Sequence, residues 1–416
     1  MRNKTDATQG FPSRPGSRQR RRDFLTTAAA VGAPLIVSPR TVRGSQANSK
    51  LTLGAIGCGG RGTWIADLFQ KHGGYQIVAA ADYFQDRVDT LGAKLQVDAK
   101  QRFTGLNGYR RVLESPVDAV VIESPPYFHP GQAAESVDAG KHVYLAKPIA
   151  VDVPGCLKVE ESARKATAKK RCFLIDFQTR TDPFYREAVK RAQYGDIGRI
   201  VCGEATYICG PTWGEQAKWL KEKPGDPEMR LRAWGLDRAL SGDVITEQNI
   251  HALDVATWVL DAAPLQAVGT GGQKARTAGT CWDTFSVIFT FPGDILVTFC
   301  SKQLGAGWDD ICCRIYGTDG TLDTHYFADV SIRGKIPYKG GKIPSLYADG
   351  AIANIATFHE SVSRGDWSNP TATPSVRSNL TTILGRTAAL RHGKVTWEEM
   401  MKANEELKPE LSGLRS

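Results

Sequence analysis

The chain has 416 residues, of which 41% are hydrophobic and 23% are charged. This composition is that of an ordinary globular chain long enough for two domains, and it excludes a collagen-like repeat or a largely disordered protein. The 53 Lys and Arg residues exceed the 44 Asp and Glu residues, so the formal net charge is +9. A charge of this size raises the question of a polyanionic partner.

The excess positive charge is concentrated in residues 1–47, which we call the leader. The leader contains nine basic and two acidic residues, a net charge of +7, which leaves +2 on residues 48–416. The remaining chain has no basic cluster and no recognised nucleic-acid-binding motif. We therefore expect no nucleic-acid partner.

The leader has the layout of a bacterial twin-arginine export signal. Arg21 and Arg22 precede an apolar run from Phe24 to Val37, and the small residues Ser45 and Ala47 follow. This order is typical of a cleaved signal, whereas the alternatives are a disordered basic tail or a membrane anchor. The run of fourteen residues is too short to span a bilayer stably. We expect export to the periplasm or another extracytoplasmic compartment, with no stable membrane insertion.

Nine cysteines are scattered along the chain and form no Cys-x-x-Cys pair. This spacing favours neither a zinc site nor a disulfide framework, and no metal is predicted. Proteins exported by the twin-arginine route fold in the reducing cytoplasm, where disulfides are rare. The same route is commonly used when a cofactor must be loaded before export.

A predicted buried strand, Leu51–Ile56, runs into a glycine-rich turn and then into a predicted helix, Thr63–Lys71. Glycines permit a tight turn and close backbone approach, and the helix N-terminus attracts a pyrophosphate. The residues of this turn that are predicted to bind the cofactor are Gly57, Gly59, Gly60, Arg61 and Gly62.

A second predicted strand, Tyr75–Ala81, ends at Asp82, twenty residues beyond Gly62. A carboxylate at this position would accept hydrogen bonds from the adenosine ribose and would repel a 2′-phosphate, which favours NAD over NADP. Arg87 lies nearby in the sequence and leaves NADP open. The alternative for Asp82 is a simple turn residue.

Two further apolar strands are predicted at Val117–Ile122 and Lys141–Leu145, alternating with helices. Such strands indicate a parallel sheet covered on both faces, and ligands bind beyond the carboxyl ends of its strands. The residues there that are predicted to contact the cofactor are Ser124, Pro125, His129 and Lys147. The sequence therefore predicts an α/β dinucleotide-binding domain of the Rossmann type over residues 48–148.

Residues 149–404 have a different pattern, in which a helix at Phe184–Gln193 is followed mainly by strands. Strands are predicted at Ile200–Ile208, Ala267–Gly271, Thr284–Phe291, Ile295–Gln303, Cys312–Tyr316 and Thr321–Tyr326. A run of strands after the alternating units predicts a second, antiparallel α+β domain. Its two last helices could pack back on the first domain, and residues 405–416 form a tail.

One segment of the second domain has the spacing of an acid–base site. Glu247, His251 and Asp254 are four and three residues apart, so on one helix they share a face. A carboxylate four residues before a histidine can orient the imidazole and raise its basicity. The alternative is a helix with a satisfied, buried histidine.

Three segments resemble the Gfo/Idh/MocA family of oxidoreductases: Gly57–Gly62, Pro125–His129 and Gly140–Pro148. Residues 247–254 are similar to the Asp-x-Gly-x-His-x-x-Asp motif of these enzymes, and Arg230–Trp234 resembles one branch that is often exported. The resemblance covers residues 50–404. It implies a Rossmann domain followed by an open-faced, mainly antiparallel sheet domain with helices, assembled as a dimer or tetramer.

The sequence departs from the family pattern at three positions. Ala146 replaces the glutamate of the usual Glu-Lys-Pro motif, Glu247 replaces an aspartate, and Asn249 replaces a glycine. The first change removes a carboxylate beside Lys147. The second gives the carboxylate near His251 a longer reach.

The resemblance implies NAD(P)-dependent oxidation or reduction of a hydroxyl on a sugar, a sugar derivative or a cyclitol. His251, supported by Glu247, would take the hydroxyl proton, and Lys147 would hydrogen-bond the oxygen as it becomes a carbonyl. The residues predicted to contact the substrate are Lys147, Arg180, Arg230, Trp234 and His251. Because free nicotinamide cofactor is not expected outside the cytoplasm, we expect the cofactor to be held tightly.

Two questions remain open at the level of sequence. The tryptophans between Gly210 and Arg238 are consistent with stacking on a sugar and with ordinary loop packing. An NAD-dependent glycosidase, which oxidises a hydroxyl transiently to allow elimination of the glycosidic bond, would use the same Lys147 and His251. A binding protein that lost the chemistry is a third alternative.

Overall fold

The computed structural model describes residues 50–416, so the predicted leader lies outside the described residues. Two sheets organise the chain. The strands of the first sheet are β1 (Leu51–Ile56), β2 (Tyr75–Ala81), β3 (Arg102–Phe103), β4 (Ala119–Ile122), β5 (His142–Ala146) and β6 (Phe173–Asp176). The connecting helices are α1 (Gly60–His72), α2 (Gln85–Leu95), α3 (Gly108–Glu114), α4 (His129–Asp138) and α5 (Val153–Ala168).

The first sheet is parallel and has the order β3-β2-β1-β4-β5-β6, the order of a Rossmann fold. All four residues of β4 and all five of β5 are buried. Such strands need apolar side chains on both faces, as their sequences provide. The predicted α/β class of the first domain is confirmed.

The first domain continues past the predicted boundary at residue 148. Helix α5 follows that boundary, and β6 pairs with β5 in the same sheet, with Ala146 opposite Asp176. Residue 148 is therefore wrong as the end of the first domain. All four residues of β6 are buried, as in β4 and β5, and the pairing with β5 assigns this strand to the first sheet.

The second domain contains a nine-stranded sheet. Its strands are β7 (Ile200–Cys209), β8 (Gln266–Gly272), β9 (Thr284–Phe291), β10 (Ile295–Gln303), β11 (Asp310–Gly317), β12 (Gly320–His325), β13 (Asp329–Gly334), β14 (Tyr338–Lys342) and β15 (Lys394–Thr396). The helices of this half are α6 (Pro183–Gln193), α7 (Gly214–Glu222), α8 (Pro227–Arg232), α9 (Arg238–Ser241), α10 (Val244–Glu247), α11 (Ile250–Leu260), α12 (Leu346–Arg364), α13 (Ala372–Arg391) and α14 (Trp397–Ala403). Short 3₁₀ helices occur at Ala99–Gln101, Pro126–Phe128, Gln178–Thr181 and Trp234–Leu236.

This sheet has the order β14-β13-β12-β11-β7-β10-β9-β8-β15, and only β7 and β10 pair in parallel. Along β9, Phe285, Val287 and Phe289 are buried, whereas Ile288 between them is 46% exposed. The period of two places one face on the core and leaves the other open. The prediction of an open-faced, mainly antiparallel sheet domain is confirmed.

The last long helices pack on the first domain. Ile355 and Phe358 of α12 share one buried cluster with Phe69 of α1. On α13 the buried Asn379 accepts a hydrogen bond from the Ile149 amide and donates one to the Ala150 carbonyl. These contacts fix the second domain against the carboxyl ends of the first sheet, where the site lies.

Within residues 50–416, none of the helices combines the length and the apolar character needed to cross a membrane.

Candidate active site

A cavity of about 420 Å³ lies where the carboxyl ends of the first sheet face α10 and α11. Most of the predicted site residues line it. These are Gly57, Gly59, Gly60, Arg61, Gly62, Asp82, Ser124, Pro125, His129, Lys147, Trp234, Glu247 and His251. A second, smaller cavity shares Gly57, Asp82 and Pro125 with the first and continues toward Tyr83 and Leu231.

The glycine-rich turn is shaped for close approach of backbone to a ligand. Gly57 has φ +91°, and a Cβ there would lie 2.5 Å from the Glu123 carbonyl carbon. A Cβ on Gly62 would lie 1.9 Å from the Gly57 carbonyl oxygen. Helix α1 begins here without a side-chain cap, so its first N–H groups remain available to an anion. This geometry fits the pyrophosphate of a dinucleotide.

Asp82 lies at the end of β2, between the two cavities. Its carboxylate accepts hydrogen bonds from the Cys58 amide at 2.7 Å and the Phe84 amide at 3.0 Å. Burial raises the pKa of Asp82, and these two hydrogen bonds oppose that shift. The two bonds fix the carboxylate beside the glycine-rich turn, where the adenosine ribose of a dinucleotide would lie.

His129 joins the turn after β4 to the turn after β5. Its ring lies between the Pro148 carbonyl oxygen, 2.8 Å from Nδ1, and the Ser124 carbonyl oxygen, 2.7 Å from Nε2. Burial lowers the pKa of His129 to about 4, and the hydrogen bonds to these two carbonyl oxygens oppose that shift. Its position holds the predicted cofactor contacts Ser124 and Pro125 at the cavity wall.

Lys147 follows β5 directly, and only 8% of its side chain is exposed. Its Nζ donates a hydrogen bond to the Glu247 carbonyl oxygen at 2.7 Å and lies 3.7 Å from Glu247 Oε1. Burial lowers the pKa of Lys147, while the Glu247 carboxylate opposes the shift. The amine is thus held by α10 and directed into the cavity.

The predicted pairing of Glu247 with His251 is wrong. Glu247 ends α10, His251 lies at the start of α11, and the chain is not one continuous helix between them. Among the residues that the structure describes, His251 Nδ1 has no hydrogen-bond partner, whereas the Glu247 carboxylate lies beside Lys147. The four-residue spacing assumed an unbroken helix. The break reassigns the carboxylate from the histidine to the lysine.

His251 is 7% exposed and lines the cavity together with Lys147. Burial lowers the pKa of His251 well below 6.5, and the positive charges of Lys147 and Arg61 lower it further. The ring packs against Tyr326, with centroids 4.9 Å apart. A neutral imidazole with a free nitrogen in this position can accept a proton.

Two of the predicted substrate contacts do not line the cavity. Arg180 makes three hydrogen bonds to the fully buried carboxylate of Asp254, which also accepts one from Ser378. Arg230 donates to the Glu410 carbonyl oxygen in the C-terminal tail. Both arginines connect parts of the fold. The predicted placement of Arg180 and Arg230 at the substrate is therefore wrong.

Trp234 does line the cavity, next to Trp213, and their ring centroids are 5.5 Å apart. Trp219 does not line it. Trp213 adopts φ +66° at the start of α7, a left-handed conformation that is uncommon for an aromatic residue. The two indoles form an apolar wall beside the polar residues.

Several cavity residues were not predicted from the sequence: Glu123, Tyr207, Trp213, Gln216, Gln248 and Tyr347. Glu123 had a usable signal, because it is a charged residue directly after a buried strand. Tyr347 comes from α12, far along the chain, and nothing in its local sequence marks it. Only the packing of α12 brings it to the site.

Among the described residues, one group could hold a metal ion: Asp310, Cys312 and His325 on the second sheet. The His325 ring already lies 2.7 Å from an Asp310 oxygen and 3.1 Å from an Asp323 oxygen. Arg314 lies 3.2 Å from its Nε2. The group is thus paired internally, away from the cavity, and the positive arginine disfavours a cation.

Comparison with protein families places the chain among the Gfo/Idh/MocA proteins. Residues 51–173 match the model described as "Oxidoreductase family, NAD-binding Rossmann fold", and residues 185–323 match the GFO/IDH/MocA C-terminal domain. Together the two matches cover well over half of the chain, in the order of the two observed domains. The chain belongs to the Gfo/Idh/MocA oxidoreductase family, and its first domain is the family's NAD-binding Rossmann fold.

Individual relatives are more distant. The chain is 27% identical over 232 residues to a glycosyl hydrolase family 109 protein of Shewanella putrefaciens. This match covers 49% of each of the two chains. It is 26% identical over 251 residues to an inositol 2-dehydrogenase of Acidothermus cellulolyticus, covering 60% of this chain and 65% of that protein. The matched region thus spans about half the length of the first of these relatives.

Among solved structures, the chain is similar to scyllo-inositol dehydrogenase from Lactobacillus casei with bound NAD(H) and scyllo-inositol. The TM-score is 0.67 at 19% identity, over 84% of this chain and all of the other. At this identity the likeness supports the fold alone.

We predict that Arg180→Ala destabilises the protein by about 3 kcal/mol, because it leaves the Asp254 carboxylate buried without its cation. The measurement is the free energy of unfolding from urea titration. Arg377→Ala is the matched control, since Arg377 pairs with Asp261, which is 77% exposed. We expect that change to cost less than about 1 kcal/mol. An Arg180→Ala protein with wild-type stability and impaired substrate binding would contradict the structural role.

Proposed function

We propose that the protein is an NAD-dependent oxidoreductase that acts on a hydroxyl of a sugar, a sugar derivative or a cyclitol. The observation that carries this proposal is one cavity that holds the glycine-rich turn, the buried amine of Lys147 and the neutral imidazole of His251. The glycine-rich turn suits a dinucleotide, and the Lys147 amine suits a carbonyl oxygen as it develops. The His251 imidazole suits the proton of the hydroxyl.

Bound NAD would supply the acceptor for the hydride that leaves the hydroxyl-bearing carbon. His251 takes the hydroxyl proton, because its ring is neutral and lines the cavity together with Lys147. Lys147 donates a hydrogen bond to the same oxygen as it becomes a carbonyl. Glu247 holds the Lys147 amine in place through its backbone carbonyl and its carboxylate. In the reverse reaction, His251 returns the proton to the oxygen, and Lys147 donates its hydrogen bond to the carbonyl that is being reduced.

The wall formed by Trp213 and Trp234 suits the C–H face of a sugar or cyclitol ring, while Gln216 and Gln248 can reach its hydroxyls. The similarity to an inositol 2-dehydrogenase supports this substrate class. Asp82 beside the ribose position favours NAD over NADP, and Arg87 at the same cavity keeps NADP as the alternative.

Tight retention of the cofactor is supported by two segments that cover the smaller cavity. Glu228 of α8 accepts a hydrogen bond from Tyr83 at 2.8 Å, and Leu231 lines the cavity. Leu411 and Leu414 of the C-terminal tail pack on the cluster that contains Tyr83 and Leu231. We expect these contacts to slow the release of a dinucleotide from this end.

A second candidate function is an NAD-dependent glycosidase. It is favoured by the glycosyl hydrolase family 109 relative. Transient oxidation of a hydroxyl would acidify a neighbouring C–H bond, allow elimination and hydration of the glycosidic bond, and end with reduction back. Cleavage of a glycoside with no net change in NADH absorbance would identify this activity.

We further propose that the protein is exported by the twin-arginine route to the periplasm or another extracytoplasmic compartment. This rests on the sequence of the leader. A dimer or tetramer formed through the open face of the second sheet is also proposed, supported by exposed apolar side chains on that face such as Ile288 and Leu296.

We predict that Lys147→Met lowers kcat by about 10²-fold or more while NAD remains bound, because the oxygen loses its hydrogen-bond donor. The measurement pairs steady-state rates on the best substrate from a panel of sugars and cyclitols with mass spectrometry of bound nucleotide. Lys169→Met, on the surface near Asp138, is the control. Wild-type turnover by Lys147→Met would rule out this role, and a wild-type protein without affinity for NAD would rule out the proposed function.

We predict a bell-shaped pH profile of kcat/KM. Activity needs neutral His251, so it falls as the pH drops through the lowered pKa of that residue, well below 6.5. Activity also needs the protonated Lys147 amine. It therefore falls a second time as the pH rises through the pKa of Lys147, which burial lowers from its usual 10.5. His251→Asn should remove the acid limb. An acid limb above pH 6.5 in the wild type would contradict the assignment.

We predict that Leu411→Ala/Leu414→Ala speeds release of NAD by about tenfold or more, because the tail loses buried apolar contact at the cavity end. The measurement is the dissociation rate of bound nucleotide after dilution into excess competitor. Lys408→Ala in the same tail is the control, since that side chain is 76% exposed. An unchanged release rate would show that the tail does not retain the cofactor.

A further inference from the structure

The residue Ala146, at the end of β5, lies between two carboxylates on the neighbouring strands. The register pairs Ile122 with Leu145 and Ala146 with Asp176. Glu123, which follows Ile122, is therefore the neighbour of Ala146 on the β4 side, as Asp176 is on the β6 side. Ala146, which has no carboxylate of its own, is therefore flanked by the carboxylates of Glu123 and Asp176.

Arg61 connects these two carboxylates across the end of the sheet. Its Nε lies 3.0 Å from Glu123 Oε2, and its Nη2 forms an ion pair with Asp176. Arg61 belongs to the glycine-rich turn, so the turn is tied to the strands on which Glu123 and Asp176 lie. The small side chain of Ala146 lies between the partners of this arginine.

The two carboxylates differ in their remaining contacts. Asp176 also accepts hydrogen bonds from Gln178 at 2.9 Å and Asn354 at 2.8 Å, so both of its oxygens are used. The Glu123 side chain is 2% exposed, and within the described residues 50–416 its buried Oε1 has no hydrogen-bond partner. An unpaired buried carboxylate oxygen is costly unless a ligand completes it. Glu123 lines the main cavity.

The charged side chains around Glu123 influence one another's ionisation. Arg61 and Lys147 face the three acidic side chains of Glu123, Asp176 and Glu247, so the acidic groups outnumber the cations. Burial raises the pKa of Glu123 to about 7, and Arg61 and Lys147 oppose that shift. A positive charge brought into the cavity would therefore be stabilised by Glu123.

We propose that Glu123 supplies from β4 the carboxylate that Ala146 omits from β5, and that its free oxygen receives a hydrogen-bond donor from the nicotinamide half of NAD. The inference rests on the proposed function, since it needs NAD in this cavity. Asp82 and the glycine-rich turn place the adenosine ribose and pyrophosphate at one end. The remaining half of the dinucleotide then reaches Glu123 and Lys147. Glu123 is a positioning residue that also favours the oxidised, positively charged ring.

The test is dinucleotide binding to nucleotide-free protein by isothermal titration calorimetry. Glu123→Gln keeps the size of the side chain and a hydrogen bond to Arg61 but removes the charge. We expect its Kd for NAD⁺ to rise by about tenfold and its Kd for NADH to change by less than about threefold, because only the oxidised ring is positive. Glu135→Gln, which removes an exposed partner of Arg110, should leave both values unchanged.

A carboxylate exchange provides the rescue. Glu123→Ala should weaken NAD⁺ binding at least as much as Glu123→Gln. Combining it with Ala146→Glu should return the Kd for NAD⁺ to within about threefold of wild type, because the charge is restored one strand away. Thermal unfolding checks that each variant folds. If Glu123→Ala alone does not fold, Glu123→Gln and the double variant decide.

Two results would overturn the inference. One is a Glu123→Gln protein whose ratio of NAD⁺ to NADH affinity equals that of wild type. The other is a double variant that binds NAD⁺ as weakly as Glu123→Ala. Either result leaves the proposed function intact if the wild-type protein binds NAD. A wild-type protein that binds neither dinucleotide overturns both proposals.

Discussion

Two cations, the partly buried Arg61 and the buried Lys147, lie at the carboxyl ends of the first sheet, and each needs a partner there. A buried charge is tolerated only when it is paired and hydrogen-bonded. Arg61 finds carboxylates within the first domain. Lys147 depends on Glu247 of the second domain. The position of the two domains relative to each other is therefore tied to the electrostatics of the site.

This requirement also separates the roles of the two groups proposed for chemistry. Glu247 is committed to Lys147, so His251 has no carboxylate partner and stays neutral and unpartnered. In the proposed reaction, Lys147 is thus the hydrogen-bond donor and His251 is the proton acceptor. Asp254, the third residue of the same segment, is used to bury Arg180 and so stabilises the fold.

Local sequence predicted much of the first domain, because apolar strands and the turn from Gly57 to Gly62 carry signals over a few residues. The run of strands likewise predicted an antiparallel second domain, and the family resemblance implied its open face, which the burial pattern along β9 shows. The pairing of Glu247 with His251 was wrong, because spacing cannot reveal a helix break. The substrate roles of Arg180 and Arg230 failed for a related reason: an arginine in a sequence does not show which acceptor it will meet.

The sequence alone determined the parallel sheet and the glycine-rich turn, since each depends on neighbours along the chain, and the family resemblance implied Lys147 and His251 as the candidate reacting groups. Only the tertiary structure decided that the first domain continues to Asp176 and that Glu123 faces the cavity beside Ala146. Strand register and ion pairing join residues far apart in sequence. Their energies depend on burial and distance, which exist only once the chain has folded.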